Sequence, residues 1–236
     1  MSSTSSSSQL KAIKIAPSIL AWDLGDLERA VEISETGGAD QVHLDVIDGH
    51  FAPNITFGPG TVRALRRRTG LKFDTHLMID QPALFAEKFL DAGSDLLSFH
   101  AEVLTGSSFD ELHRLVRARG KELGLAIKPR TELPDWASDR LDKISTLVVM
   151  TVNPGFSGQA MDMTVMPKLE RLSGIVESSG QRVDIEIDGG VEPENVHEVV
   201  MRGGNVLVAG AGVYAKKDPV AAISALRERA MKVVSQ

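Results

Sequence analysis

The stretch Ile13-Lys14-Ile15-Ala16-Pro17-Ser18-Ile19-Leu20 decides the choice between two folds. It is a short apolar run of the kind that forms a buried strand. An open parallel sheet that binds a nucleotide places a glycine-rich turn directly after its first strand. This run continues through Ala16-Pro17-Ser18 without any glycine, so the sequence favours a closed barrel over an open sheet.

Seven similar runs follow along the chain. The eight together are Ile13–Ser18, Gln41–Val46, Lys72–Met78, Leu96–His100, Leu123–Lys128, Thr146–Thr151, Asp184–Asp188 and Val206–Gly210. The segments between them have apolar residues spaced near 3.6, as in Leu24, Leu27, Ala30, Val31 and Ile33. Strict alternation of strand and helix indicates a parallel sheet. Eight units in 236 residues predict an α/β fold with a single domain, the (β/α)8 or TIM barrel.

Proline and glycine mark the expected ends of the helices. Helices are predicted to begin at Asp23, Gln81-Pro82 and Glu192-Pro193, because proline suits the first helical turn. They are predicted to end at Gly37-Gly38, Gly93, Gly120 and Gly203-Gly204, where glycine accepts a left-handed conformation.

Composition excludes several classes of function. The net charge of −6 argues against nucleic acid as the main partner, because a phosphate backbone requires a basic face. No stretch has the roughly 18 apolar residues of a membrane helix, so no membrane partner is expected. Because the chain has no cysteine, any metal must be held by histidine and carboxylates. Residues 1–10 are predicted to be a disordered Ser-rich tail without a secretory signal, and residues 11–236 a barrel in a cytoplasmic protein.

Polar residues collect at the ends of the predicted strands, where barrel enzymes place their chemistry. The period of two puts His43 and Asp45 on one face of the second strand, while His76 lies near the end of the third and Asp188 ends the seventh. Four such side chains at one rim would be costly without a shared partner. The pattern predicts one divalent cation held by these four residues. The ligand types allow zinc, ferrous iron, manganese or cobalt.

Glycine-containing loops follow the last three predicted strands. They are Asn153-Pro154-Gly155-Phe156-Ser157-Gly158-Gln159, Gly189-Gly190 and Gly210-Ala211-Gly212. Glycines let backbone N–H groups approach an anion, and the loops after strands seven and eight are where such barrels bind phosphate. These loops therefore predict a phosphate site.

Several longer motifs carry a family resemblance. They are Ala16-Pro17-Ser18-Ile19-Leu20, the run from His43-Leu44-Asp45 through Pro53-Asn54, Thr75-His76-Leu77-Met78, Val152-Asn153-Pro154-Gly155-Phe156-Ser157-Gly158-Gln159, Glu186-Ile187-Asp188-Gly189-Gly190 and Val208-Ala209-Gly210. In these motifs the chain resembles the ribulose-phosphate 3-epimerase family over about residues 13 to 230. The resemblance implies a barrel that interconverts D-ribulose 5-phosphate and D-xylulose 5-phosphate with one divalent metal, in a homo-oligomer.

The resemblance also implies roles for individual residues. Asp45 and Asp188 would be both metal ligands and the two acid/base groups, with His43 and His76 as the other ligands. Ser18 and His76 would touch the sugar, and Met78 and Met150 would cover the reacting carbons. The phosphate would be held by Gly155, Phe156, Ser157, Gly158, Gly189, Gly190, Gly210 and Ala211. The chain departs from the family pattern at Ile47, where methionine is usual, and at Ala211, where serine is common.

Other functions remain open from the sequence. A sister 3-epimerase would act on another ketose phosphate, such as allulose 6-phosphate. A Schiff-base aldolase would use Lys128, although this lysine is also explained as a solvated rim residue. A metal-dependent hydrolase would require His-x-His on the first strand, which instead ends in Ser18. A sugar-phosphate binder without catalysis would need neither the two carboxylates nor the two histidines.

Overall fold

A computed structural model describes residues 11–234 of the chain. Within that range eight strands form one parallel sheet, which confirms the predicted barrel. They are β1 (Lys14–Pro17), β2 (Gln41–Ile47), β3 (Lys72–Met78), β4 (Leu96–His100), β5 (Glu122–Ile127), β6 (Thr146–Met150), β7 (Asp184–Asp188) and β8 (Val206–Ala209). The tail predicted for residues 1–10 lies outside the described residues.

Helices follow the strands and cover the outer face of the sheet. They are α1 (Leu27–Thr36), α2 (Pro59–Arg66), α3 (Ala86–Ala92), α4 (Gly106–Ala118), α5 (Asp135–Ser138), α6 (Met166–Ser179), α7 (Val196–Met201), α8 (Ala211–Tyr214) and α9 (Pro219–Val234). None of these helices, within residues 11–234, has the length and apolar character needed to cross a membrane.

The sheet curves until its two ends meet. Its strand order is β1-β8-β7-β6-β5-β4-β3-β2, and a parallel bridge between Ser18 and His43 joins the ends into a nearly closed barrel. The register sets Asp45 opposite His76 and Met150 opposite Asp188. Polar residues from distant parts of the sequence therefore reach the same level of the barrel.

The two faces of the sheet have different surroundings. Outward-facing apolar residues such as Leu44, Leu77 and Ile187 are buried against the helices in the main hydrophobic core. The residues between them face the barrel interior, where His43, Asp74 and Glu186 are all completely buried. Such burial is costly for charged groups unless they are paired, so the interior points to function rather than to stability.

The predicted glycine ends are confirmed, whereas the predicted helix starts are wrong by a few residues. Gly38, Gly93, Gly120 and Gly203 all have positive φ. The carboxylate of Asp23 accepts a hydrogen bond from the Gly25 N–H, which closes a turn before α1 begins. Pro82 opens a separate 3₁₀ turn ahead of α3. Asn195 accepts from the Glu192 N–H, so Pro193 lies in a turn before α7.

Candidate active site

The four predicted metal ligands meet at the carboxyl end of the barrel. His43, Asp45, His76 and Asp188 each offer one ligand atom, and these atoms all lie within 4.8 Å of one another. All four residues are buried. Two neighbouring strands supply the histidines and Asp45, while β7 supplies Asp188 from across the barrel. A set of two imidazoles and two carboxylates in this space fits a divalent transition metal.

One ring nitrogen of His43 faces the site, and the other contacts the carboxylate of Asp74. Its Nδ1 lies 2.7 Å from Asp74 Oδ2, while its Nε2 lies 3.4 Å from Asp45 Oδ1 and 3.8 Å from Asp188 Oδ2. Among the described residues, Nε2 is a buried polar atom without a hydrogen-bond partner. A cation at this position would satisfy it, which is the observation that fits the site to a metal.

His76 is oriented in a similar way from the neighbouring strand. Its Nδ1 lies 3.2 Å from Asp188 Oδ2, and its Nε2 lies 2.9 Å from the Nε2 of His100. The His100 Nδ1 in turn lies 2.9 Å from Glu102 Oε2. Burial lowers the pKa of His100 to about 4. Burial opposes ionisation of Glu102, but its hydrogen bond with His100 lowers its pKa to about 2.

Asp45 is held as a carboxylate at the mouth of the barrel. The Ser18 hydroxyl donates a hydrogen bond to Asp45 Oδ2 at 2.5 Å. Burial opposes the ionised form, but the neighbouring His43 outweighs it and lowers the pKa of Asp45 to about 2. Burial also opposes the charged form of His43, but Asp74 and Asp45 raise its pKa well above the ordinary value. The pair favours the charged form of each group, and a cation bound at His43 Nε2 would take the place of the proton there.

A second polar layer supports the first from below. Gln41 Nε2 donates to Asp74 Oδ2 at 3.0 Å and to Glu186 Oε2 at 3.4 Å. Burial and the neighbouring Asp74 raise the pKa of Glu186 well above its ordinary value. Burial and Asp74 therefore favour the protonated form of Glu186. The layer holds the His43 ring from the side away from the pocket.

A pocket lies directly above this cluster, with about 630 Å³ free of protein atoms, including space open to solvent. Its lining contains the predicted residues Ser18, Asp45, Met78, Met150, Gly155, Phe156, Ser157, Gly158, Asp188, Gly189, Gly190, Gly210 and Ala211. His43 and His76 lie beneath that lining and are completely buried. The structure brings the predicted residues together, and the role of each stays a prediction.

The loop after β6 contacts the loops that follow β2 and β7. The Asn54 side chain donates to the Gly155 carbonyl at 2.8 Å, which ties this loop to the one after β2. Gly190 has a φ of +62°, and a Cβ there would lie 2.4 Å from the Met161 backbone nitrogen. Only glycine allows the loops after β6 and β7 to approach this closely.

Replacement of Gly190 by alanine is expected to weaken phosphate binding by at least tenfold. A left-handed conformation costs a non-glycine residue about 1–2 kcal/mol, and the Cβ clash with backbone would push the two loops apart. Inhibition by inorganic phosphate measures the effect. Gly174→Ala is the control, because a Cβ at that helical position meets nothing within 4 Å. Unchanged inhibition in Gly190→Ala would contradict this role for the loops.

Lys128 does not reach the pocket. It follows β5, and its Nζ lies 3.8 Å from the ring centroid of Phe51. Its backbone N–H donates to Glu102 Oε1 at 2.7 Å. Lys128 is not among the residues that line the described pocket, so the geometry gives no support to a Schiff-base aldolase.

Comparison with known proteins identifies the family. The model of the ribulose-phosphate 3 epimerase family matches residues 14–214. The chain belongs to the ribulose-phosphate 3-epimerase family. It is therefore an isomerase of the epimerase class, as predicted.

Close relatives carry the same family name. The chain is 41% identical to a ribulose-phosphate 3-epimerase of Bacillus subtilis over 219 residues, which cover 91% of this chain and 98% of the relative. It is 38% identical to the ribulose-phosphate 3-epimerase of Synechocystis, over 92% of this chain and 94% of the relative. Because the alignments cover nearly the whole chain, these relatives support epimerase activity for it.

More distant solved structures share the fold of this epimerase. The KGPDC of Streptococcus mutans has a TM-score of 0.71 at 13% identity, over 94% of this chain and 99% of that one. The 3-hexulose-6-phosphate synthase of Salmonella typhimurium has a TM-score of 0.69 at 15% identity, over 94% and 100%. At these identities the likeness shows the barrel alone.

Several residues that surround the ligands were not predicted from the sequence. Asp74 and Glu186 each precede a predicted ligand by two positions, so the strand period already placed them on the same inner face. Neither received a role. His100 ends the fourth predicted strand and so had the same strand-end signal as the ligands, but it also received no role. Glu102 had no such signal, because it lies beyond the end of β4. The Asn54–Gly155 contact joins two loops and leaves no trace in a local pattern.

Proposed function

We propose that this epimerase interconverts D-ribulose 5-phosphate and D-xylulose 5-phosphate by moving a proton on and off C3. The convergence of His43, Asp45, His76 and Asp188 under a pocket walled by glycine-rich loops carries the proposal. Inversion at C3 requires removal of a proton beside a carbonyl and its return to the opposite face. The reaction passes through an enediolate.

Asp45 and Asp188 are the proposed acid/base pair. Both line the pocket, and they come from different strands, β2 and β7, which supports a separate face of C3 for each. Asp45 is an ionised base whose orientation is held by Ser18. In the direction in which Asp45 removes the C3 proton, Asp188 begins as the protonated acid and gives its proton to the opposite face, so one turnover exchanges the protonation states of the two aspartates.

The same two aspartates, with His43 and His76, would hold one divalent cation. The ligand types fit zinc, ferrous iron, manganese or cobalt. When bound, such a cation supplies positive charge that stabilises the negative charge developing beside C3. The anchored ring of His43 keeps its Nε2 directed at the site whether or not substrate is present, which reduces the reorganisation that binding requires.

Apolar side chains keep water away from the proposed reacting carbons. Met78, Met150 and Ile47 belong to one buried cluster above the ligands. Their side chains fill space without offering hydrogen bonds that would compete for the sugar hydroxyls. Ile47 stands where the family usually has methionine, and its burial in the same cluster supports the same role.

The glycine-rich loops are proposed to hold the phosphate, which predicts a strong preference for phosphorylated sugar. Free ribulose is expected to react with a kcat/KM at least about 10²-fold lower, because binding energy from the remote phosphate positions C3. A coupled assay on both sugars measures the ratio. A comparable kcat/KM for free ribulose would contradict the phosphate site.

A substrate panel tests the proposed substrate against its nearest alternative. Conversion of ribulose 5-phosphate, allulose 6-phosphate and free ribulose is compared at equal metal content. Preference for ribulose 5-phosphate supports the proposal. Preference for allulose 6-phosphate would assign the enzyme to the sister activity with the same acid/base pair.

We also propose that this is a cytoplasmic homo-oligomer. Exposed apolar side chains occur in the loops after the first three strands, at Leu24, Ile55 and Leu84. Burial of these side chains against a second copy of the chain would remove them from water. Sedimentation of the purified enzyme tests the association.

A further inference from the structure

A chain of hydrogen-bonded groups leads away from the site on the side of β4. It begins at His76, passes through His100 and ends at Glu102, with distances of 2.9 Å at both steps. The rings of His76 and His100 are stacked, with centroids 4.9 Å apart. The Phe51 ring covers His100, at 4.4 Å between centroids. His100 is thereby completely buried, although the proposed reaction gives it no task.

The carboxylate at the end of the chain determines where each proton lies. Glu102 Oε1 accepts from the Lys128 N–H, and an ionised carboxylate has no hydrogen to donate. The His100 Nδ1 must therefore carry the hydrogen that bonds to Glu102 Oε2. In a neutral imidazole the other nitrogen is then an acceptor, so His100 Nε2 accepts from the Nε2–H of His76.

This assignment leaves the Nδ1 of His76 without a hydrogen. Nδ1 is the nitrogen that lies 3.2 Å from Asp188 Oδ2, so its lone pair faces the site. The reverse tautomer would aim an N–H at the position of the cation. It would also set two acceptors, His100 Nδ1 and Glu102 Oε2, opposite each other. The assigned tautomer instead sets His76 Nδ1 opposite Asp188 Oδ2, which is the one place where a bound cation would be shared by both acceptors.

The buried ammonium group of Lys168 helps to set the position of Glu102. The Lys168 Nζ donates to the carbonyls of Lys128, Pro129 and Thr131, at 2.8, 2.9 and 3.2 Å. These contacts order the segment after β5, and the first residue of that segment donates its N–H to Glu102. The position of Glu102 is thus set by the fold and does not depend on a ligand in the pocket.

We infer that His100 and Glu102 are positioning residues, which fix His76 in the tautomer that leaves Nδ1 free to bind the divalent cation. Asp74 does the same for His43 in one step, through Nδ1 at 2.7 Å. The inference deepens the proposed function and rests on its metal site. Outer partners of this kind typically change metal affinity by 10- to 100-fold when they are replaced.

The test measures zinc affinity by competition with a chelator in Glu102→Gln. Lys128 and His100 bond to different oxygens of Glu102, and a carboxamide replaces one of these oxygens with an NH₂ donor, so it turns an acceptor toward only one of the two partners. Zinc affinity is expected to fall by about 10- to 100-fold. Glu228→Gln is the matched control, because Glu228 is exposed on α9. Equal zinc affinity in Glu102→Gln and the wild type would overturn the inference.

A second measurement needs no variant. Ring ¹⁵N spectra of the metal-free wild type at pH 8, above the ordinary histidine pKa of about 6.5, report which nitrogen carries hydrogen. The six histidines give few enough signals to assign. We expect Nε2–H in His76 and Nδ1–H in His100, and the opposite pattern would overturn the inference. Failure of wild-type zinc binding with the expected tautomers would instead contradict the proposed metal site.

Discussion

Asp188→Asn is expected to lower epimerisation by about 10²–10⁴-fold, the range for loss of a general acid–base group. The asparagine side chain is nearly the same size but accepts no proton from C3. Asp45→Asn is expected to have an effect of the same order, although it also breaks the pair with His43. A coupled assay on ribulose 5-phosphate measures both losses.

Exchange of the C3 proton with solvent deuterium distinguishes loss of one acid/base group from loss of the metal. If one variant keeps its metal, the remaining aspartate still serves one face, so the C3 proton of one epimer exchanges in deuterium oxide. Metal loss would stop exchange with both epimers. Proton NMR with metal analysis on the same samples distinguishes these cases, and near-normal epimerisation in either variant would remove that aspartate from the pair.

His76→Ala is expected to abolish stoichiometric binding of the divalent cation and most of the activity. It removes one of four ligands but leaves the helices and the outer core unchanged. His43→Ala should remove the metal equally, but it also takes the ring away from Asp74. An unpaired buried charge costs about 3–5 kcal/mol, so His43→Ala should melt at a lower temperature than His76→Ala.

Metal analysis and thermal unfolding of the same preparations check this prediction. His113→Ala is the control, because His113 lies on the partly exposed face of α4. Full activity of the wild type after exhaustive chelation, with no detectable metal, would contradict the four-ligand site.

The fold and the clustering of the four proposed ligands were predictable because both follow short periods. Alternation of strand and helix identified the barrel, and a period of two placed His43 and Asp45 on one inner face. Parallel strands in a barrel all end at the same rim, so His76 and Asp188 could be added without knowing the register. Local patterns and one topological rule were therefore sufficient for this part of the molecule.

The remaining features depend on contacts between distant residues. Asn54 and Gly155 are separated by 101 positions, and no local pattern indicates their hydrogen bond. Two helices begin later in the structure than the sequence predicted, because the side chains of Asp23 and Asn195 accept hydrogen bonds in turns that precede them. The His76–His100–Glu102 chain depends on the tautomers of two rings, which a sequence does not specify.

The proposed ligands are far apart in the sequence, so the ribosome synthesises them at different times. His76 and Asp188 are 112 positions apart, an interval that takes about 6–22 s to synthesise at roughly 5–20 residues per second. A nascent chain thus carries three ligands for seconds before the fourth exists. Asp188 joins them only when β7 has paired with β6 and β8. We expect metal loading to follow release from the ribosome, so the cellular metal pool at that moment selects the ion that the enzyme carries.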